Sequence, residues 1–134
     1  MVIDTNVLVS GVMNPHGPPG LIVDHALAGA FTVLYDDRIM SEYREVLARP
    51  AFGFSLADIN ALLDFIETTG ERITGRPLPL VLPDSRDLPF LEVAATGHAD
   101  ALITGSTRHF KPQRGQRPTY ISTPADFVRS LAGN

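Results

Sequence analysis

Val2-Ile3-Asp4-Thr5-Asn6-Val7-Leu8-Val9 opens the chain with the strand-and-turn pattern on which the rest is built. Two β-branched apolar residues run straight into Asp-Thr-Asn. That is a short buried strand followed by a turn whose polar residues suit the start of a helix. The same alternation recurs downstream. Residues 14–20, rich in Pro and Gly, predict a loop. Leu21, Ile22, His25, Ala26 and Leu27 then repeat at helical spacing until Gly29. Residues 31–35 read as a second strand closed by Asp36-Asp37. Ile39, Met40, Tyr43, Val46 and Leu47 form the next helical face, stopped by Pro50. Ser55 is placed as an N-cap for a helix carrying Ile59, Leu62, Leu63 and Ile66, which runs to about residue 68. Pro77, Pro79 and Pro83 leave residues 80–82 at most a short extended segment. A helix opened near Asp87 and ended by Gly97 leads into a buried strand over 101–104. Residues 106–118 read as loop, 119–122 as strand, and Pro124 starts a closing helix. Strands alternating with helices predict an α/β fold: a central, mostly parallel sheet, right-handed crossovers and helices on both faces.

The 134 residues are 44% hydrophobic and 19% charged. A chain of this size buries a real core without disulfides or structural metals. Acids exceed Lys plus Arg by 15 to 11, for a net charge of −4. This excludes a nucleic-acid binder held by overall positive charge. Without cysteine there is no disulfide frame, no Cys-ligated zinc or iron–sulfur cluster and no thiol nucleophile. Apolar runs fall far short of the roughly 18 residues that a membrane-spanning helix needs. Asp4 stands where a signal peptide would place a basic and then an apolar region. The expectation is one cytoplasmic domain over residues 1–134, with no membrane partner.

In open parallel sheets, function gathers beyond the carboxyl ends of the strands. Asp4 follows the first strand, and Glu42 lies in the helix after the second. Asp84 and Asp87 precede the helix that leads to the strand over 101–104. Asp100 comes just before that strand, with Thr104 and Ser106 at its far end. A parallel sheet lets Asp4, Glu42, Asp87 and Ser106 converge on one edge. Clustered carboxylates repel one another and raise their own pKa values unless a cation sits among them. Oxygen donors without Cys or a His pair suit a hard ion, Mg²⁺ or Mn²⁺, which can support in-line phosphoryl transfer. The plainer alternative is helix capping, since helix N-termini favour acids in any case.

Val2-Ile3-Asp4-Thr5-Asn6-Val7-Leu8-Val9-Ser10 resembles the opening of PIN domains, whose first acid ends strand one in an Asp-Thr-Asn turn. Ser41-Glu42-Tyr43-Arg44-Glu45-Val46-Leu47 resembles the helix that carries their second acid. Asp87-Leu88-Pro89-Phe90-Leu91-Glu92-Val93-Ala94, with Gly97-His98-Ala99-Asp100-Ala101-Leu102-Ile103-Thr104-Gly105 after it, resembles their third-acid helix and the strand that follows. Arg108-His109-Phe110 matches the end of that block. Among PIN domains, the toxins of toxin–antitoxin pairs are the nearest group. The resemblance implies an Mg²⁺- or Mn²⁺-dependent ribonuclease, often dimeric and inhibited by a cognate antitoxin, that leaves a 5′-phosphate and a 3′-hydroxyl. It also implies Asp4, Glu42 and Asp87 as the metal-binding, catalytic acids. Many PIN domains place a fourth acid where this chain has Ser106, so one negative charge is lost. Asp84 and Asp100 are candidates to compensate.

Asn6 either fixes the Asp4 carboxylate or contacts substrate, unless it serves only the turn. Thr104 and Ser106 either bond a carboxylate or phosphate, or cap the strand end. Residues 101–125 carry four basic side chains, Arg108, Lys111, Arg114 and Arg117, and no acid. Positive charge beside an acidic site suits RNA contact. His109, Phe110 and Tyr120 either stack on bases or, in the case of Phe110, plug the core. An aspartyl nucleophile at Asp4 would call for a second Asp where Asn6 stands, and no Gly-rich phosphate loop follows a strand. The competing function is a weakened PIN domain that binds RNA or a protein without cutting.

Overall fold

The computed structural model describes residues 1–132. Gly133 and Asn134, the last two residues of the expected domain, lie outside the described ones. In chain order the elements are β1 (Val2–Ile3), α1 (Thr5–Met13), α2 (Pro18–Leu27), β2 (Leu34–Tyr35), α3 (Asp37–Leu47) and α4 (Leu56–Thr69). Then come β3 (Glu71–Arg72), α5 (Leu88–Thr96), β4 (Leu102–Ile103), β5 (Ile121–Ser122) and α6 (Pro124–Ala132). Short 3₁₀ turns cover Pro50–Phe52, Ser85–Asp87 and Thr107–Phe110.

Every strand pairing is parallel: β1 with β4, β4 with β5, and β2 with β3. Val2 stands opposite Leu102 and Ile3 opposite Ile103. The Leu34 N–H donates to the Met1 carbonyl at 2.7 Å, which lays β2 along the other side of β1. The strands form a three-stranded sheet, β1-β4-β5, and a two-stranded one, β2-β3; with β2 set beside β1 by that bond, the order across the fold is β3-β2-β1-β4-β5, and the winding reverses between β1 and β4. That reversal opens a crevice at the carboxyl ends of these two strands. Val2, Ile3, Leu102 and Ile103 are each 0% exposed. Because successive strand side chains point to opposite faces, both faces of the sheet are covered, as the α/β expectation requires.

The structure sharpens three local readings. Residues 80–82, expected to be at most a short extended segment, form no strand, and the edge strand, which the sequence reading did not place, is Glu71–Arg72. Glu71 N–H donates to Val33 O at 2.9 Å and Ile73 N–H to Tyr35 O at 2.7 Å. An exposed, charged dipeptide gives no apolar signal, although charge is typical of edge strands. The helix expected from Leu21 begins at Pro18, because two prolines occupy its first turn, where their missing N–H groups cost nothing. Gly20 allows this: a Cβ there would stand 2.2 Å from the Pro15 carbonyl oxygen. Within the loop expected over 106–118, the 3₁₀ turn sinks Phe110 fully into the core, so this ring is a plug and not a base-stacking platform.

The core packs Tyr43, Phe90, Leu91 and Ile103 around the central strands, each such side chain worth about 1.5–3 kcal/mol of burial. Tyr43 donates its hydroxyl to the Ile3 carbonyl, which ties α3 to β1 just before Asp4. Arg38 bridges Asp36 (Nε–Oδ2, 2.8 Å) and the buried Glu92 (Nη1–Oε1, 2.8 Å). The second Glu92 oxygen accepts the Leu78 N–H at 2.8 Å. This network fixes α3 against α5, and so sets the spacing between the two elements that carry Glu42 and Asp87.

Candidate active site

The β1/β4 crevice holds a cavity of about 380 Å³. Asp4, Thr5 and Asn6 line it from the end of β1, and Glu42, Glu45, Val46 and Arg49 from α3 and the residues just after it. Asp84, Arg86 and Asp87 come from the turn before α5, with Ser106 and His109 beyond β4. Three carboxylates far apart in the chain, Asp4, Glu42 and Asp87, therefore share one cavity.

Capping separates these acids from their neighbours. Asp36 and Ser55 cap their helices with side-chain bonds to Ile39 N–H and Asp58 N–H. Asp84 likewise accepts the Arg86 N–H. Asp4 and Asp87 occupy the N-cap positions of α1 and α5, yet neither side chain makes a capping bond. The capping alternative therefore explains Asp36 and Asp84, and leaves Asp4 and Asp87 facing the cavity.

Asp4 is buried and accepts the Thr104 hydroxyl at 2.7 Å, across the β1/β4 seam. Thr104 Oγ1 in turn accepts the Ser106 N–H at 3.0 Å. Burial raises the Asp4 pKa; the bonds from Thr104 and Thr5 oppose that rise, and the Glu42 charge adds to it. Thr5 donates its hydroxyl to Glu42 Oε2, so both partners hold a fixed orientation. Asp87 is pushed up to about 6, mainly by burial, then by the charges of Asp4 and Asp84; His109, with Nδ1 at 3.8 Å, pulls the other way. Such mutual repulsion is what a cation placed among carboxylates relieves.

Asn6 does not hold Asp4. Its Oδ1 accepts the Gly105 N–H at 3.3 Å, linking the start of α1 to the exit of β4. Asp84 lines the cavity but is held by Arg86 (Oδ2–Nη2, 2.8 Å), which keeps its carboxyl below the usual range. Asp100, expected near these acids, does not join them. It lines a different cavity with Met1, Thr32 and His98. The reason is direction: Asp100 precedes β4, and in a parallel sheet the amino ends of the strands lie at the edge away from the site. Arg108, Lys111, Arg114 and Arg117 are all exposed, and none lines the cavity. Its guanidinium groups come from Arg49 and Arg86 instead. Arg49 follows Glu42 by two helical turns, a spacing that could have been read; Arg86 is adjacent to Asp87.

A family model described as PIN domain matches residues 1–108. The chain belongs to the PIN domain family. Comparison with curated proteins and with solved structures gave no match. PIN domains are generally nucleases and typically use divalent metals, so the fold is nuclease-type. In this PIN domain the matched region spans all three acids and Ser106, and stops before Lys111, Arg114 and Arg117.

The donor set suits a hard divalent ion: oxygen atoms alone, two of the carboxyls raised by burial and by each other, and no capping duty at Asp4 or Asp87. Among the described residues, no three His, Asp or Glu side chains stand close enough to close around one ion. The carboxylates thus share the cavity without converging on a point. Among the described residues, no helix is long and apolar enough to cross a membrane.

Proposed function

We propose that this PIN domain is an Mg²⁺- or Mn²⁺-dependent endoribonuclease that hydrolyses RNA phosphodiesters. The observation that carries the reading is the meeting of Asp4, Glu42 and Asp87, uncapped or turned away from capping, in one cavity at the winding reversal of the sheet. Asp4, Glu42 and Asp87 would hold the ion, which supplies Lewis acidity for the hydrolysis when bound. Thr104 orients Asp4 through its hydroxyl, and Thr5 does the same for Glu42. Tyr43 and the Arg38–Glu92 pair keep α3 and α5 at the distance the cavity needs. Ser106 offers a neutral hydroxyl where a fourth carboxylate would add charge, which weakens the hold on a second ion. The sequence motifs support a role as the toxin of a toxin–antitoxin pair, with a cognate antitoxin and a homodimeric state as companions of that role. A cytoplasmic location follows from the same reading.

The test is cleavage of varied single-stranded RNAs by the wild-type protein, Asp4→Asn and Asp87→Asn, with Mg²⁺, Mn²⁺ or a chelator. Cleavage by the wild type alone, and only with an ion, supports the proposal. Cleavage that survives Asp4→Asn overturns it. A second reading, a binding module without cleavage, is favoured by Ser106 and by the carboxylates' failure to converge. Ion-independent RNA binding with no cleavage under any condition selects that reading.

A further inference from the structure

We propose that Arg49 and Arg86 are the substrate-binding groups of this site, each taking a backbone phosphate of the RNA strand on one wall of the carboxylate cavity. The inference rests on the ribonuclease reading and adds where the strand is held.

Five carboxylates line the cavity: Asp4, Glu42, Glu45, Asp84 and Asp87. An RNA strand carries a negative charge on every phosphate, so without local positive charge its approach to these groups is repulsive. Arg49 and Arg86 are the Lys or Arg side chains among the lining residues, and they come from different walls, after α3 and before α5. Both are well exposed, with 52% and 79% of their side-chain surface accessible.

Each is also tethered. Arg86 donates through Nε and Nη2 to Asp84 at 2.8–3.2 Å, and Arg49 donates through Nη2 to Glu45 at 3.2–3.3 Å. A guanidinium has five N–H donors, and Nη1 of each makes no hydrogen bond among the described residues. An exposed arginine loses rotamer freedom when it grips a ligand. Here the neighbouring acid has already restricted the side chain and left the outer fork free. That geometry suits the paired contacts that arginine makes with phosphate oxygens. The basic loop offers no such arrangement: Arg108, Arg114 and Arg117 are exposed without an acid partner among the described residues, and none borders the cavity.

The experiment measures binding of a short, unstructured, dye-labelled RNA in Mg²⁺ by fluorescence anisotropy, across a salt series, with cleavage blocked by Asp4→Asn. In that background Arg86→Gln and Arg49→Gln should each weaken binding about tenfold and lower the salt slope by about 0.7, the value for one phosphate contact on a single strand. Arg86→Lys should restore the slope but only part of the affinity, because the fork is lost. Arg114→Gln with Arg117→Gln should leave both quantities within error. Melting curves confirm that every variant is folded. If Arg49→Gln and Arg86→Gln bind like their parent, or if the loss is confined to the loop variant, the inference is overturned while the ribonuclease reading stands. If the parent binds no RNA and the wild type cuts none, the ribonuclease reading itself has failed.

Discussion

Asp87→Asn is expected to stabilise the ion-free protein at neutral pH while abolishing its response to metal. The Asp87 carboxyl sits at about 6 instead of 3.8, first because of burial and then because of Asp4 and Asp84. At 1.36 kcal/mol per pH unit, this corresponds to about 3 kcal/mol if fully expressed. The side chain borders an open cavity and keeps 18% of its surface exposed, and screening there reduces the effect to about 1–2 kcal/mol. The sign follows from the direction of the shift. A raised folded-state value means the stabilising contribution is complete below 3.8 and is lost as pH rises through about 6. Ion-free wild-type protein at pH 7 therefore carries the whole penalty, and at pH 4 almost none.

An amide in place of the carboxyl keeps the shape and removes the charge. Thermal melts in chelator at pH 7 should place Asp87→Asn above the wild type by about 3–6 °C, and the two should coincide at pH 4. Adding millimolar Mg²⁺ or Mn²⁺ should raise the wild-type melting temperature and leave the variant nearly unmoved, because binding to the folded state alone shifts its stability. An Asp87→Asn protein less stable than the wild type at pH 7 in chelator, or a difference that is the same at both pH values, would refute the electrostatic account.

Thr104→Val should cost about 1–3 kcal/mol in chemical denaturation, since it strips a buried hydrogen bond from Asp4 and leaves the Ser106 N–H without its acceptor; Thr104→Ser should recover most of that loss. Gly20→Ala should cost about 3 kcal/mol or more, because the added Cβ meets the Pro15 backbone at 2.2 Å and one of the two segments must move. Ser106→Asp should enlarge the Mn²⁺-induced rise in melting temperature by restoring a negative charge to the cavity. An unchanged or smaller rise would show that the position does not face the ion.

What the sequence could reveal tracks the range of the physics behind each feature. Buried strands such as Val2–Ile3 and Leu102–Ile103 announce themselves by composition, and the Asp-Thr-Asn turn after the first marks the strand end that faces the site. Parallel winding then places Asp4, Glu42 and Asp87 at one edge, because all the carboxyl ends point the same way. The same logic, applied strictly, sends Asp100 to the opposite edge, since it enters β4 instead of leaving it. β3 was invisible for a different reason: Glu71–Arg72 pairs through its backbone, and backbone hydrogen bonding has no side-chain signature. Charge density along the chain singles out the basic loop, whose four cations stay outside the cavity lining. Four cations without a nearby acid look like a binding surface along the chain, but only the fold decides which guanidinium groups border the carboxylates. Arg49 and Arg86 stand in acid-rich segments, where local charge balance hides them. Their neighbours Glu45 and Asp84 are the groups that hold them in place at the cavity. In an acidic nuclease-type site, the arginines worth testing first are therefore those paired with acids at the rim, because the pairing holds them at the cavity.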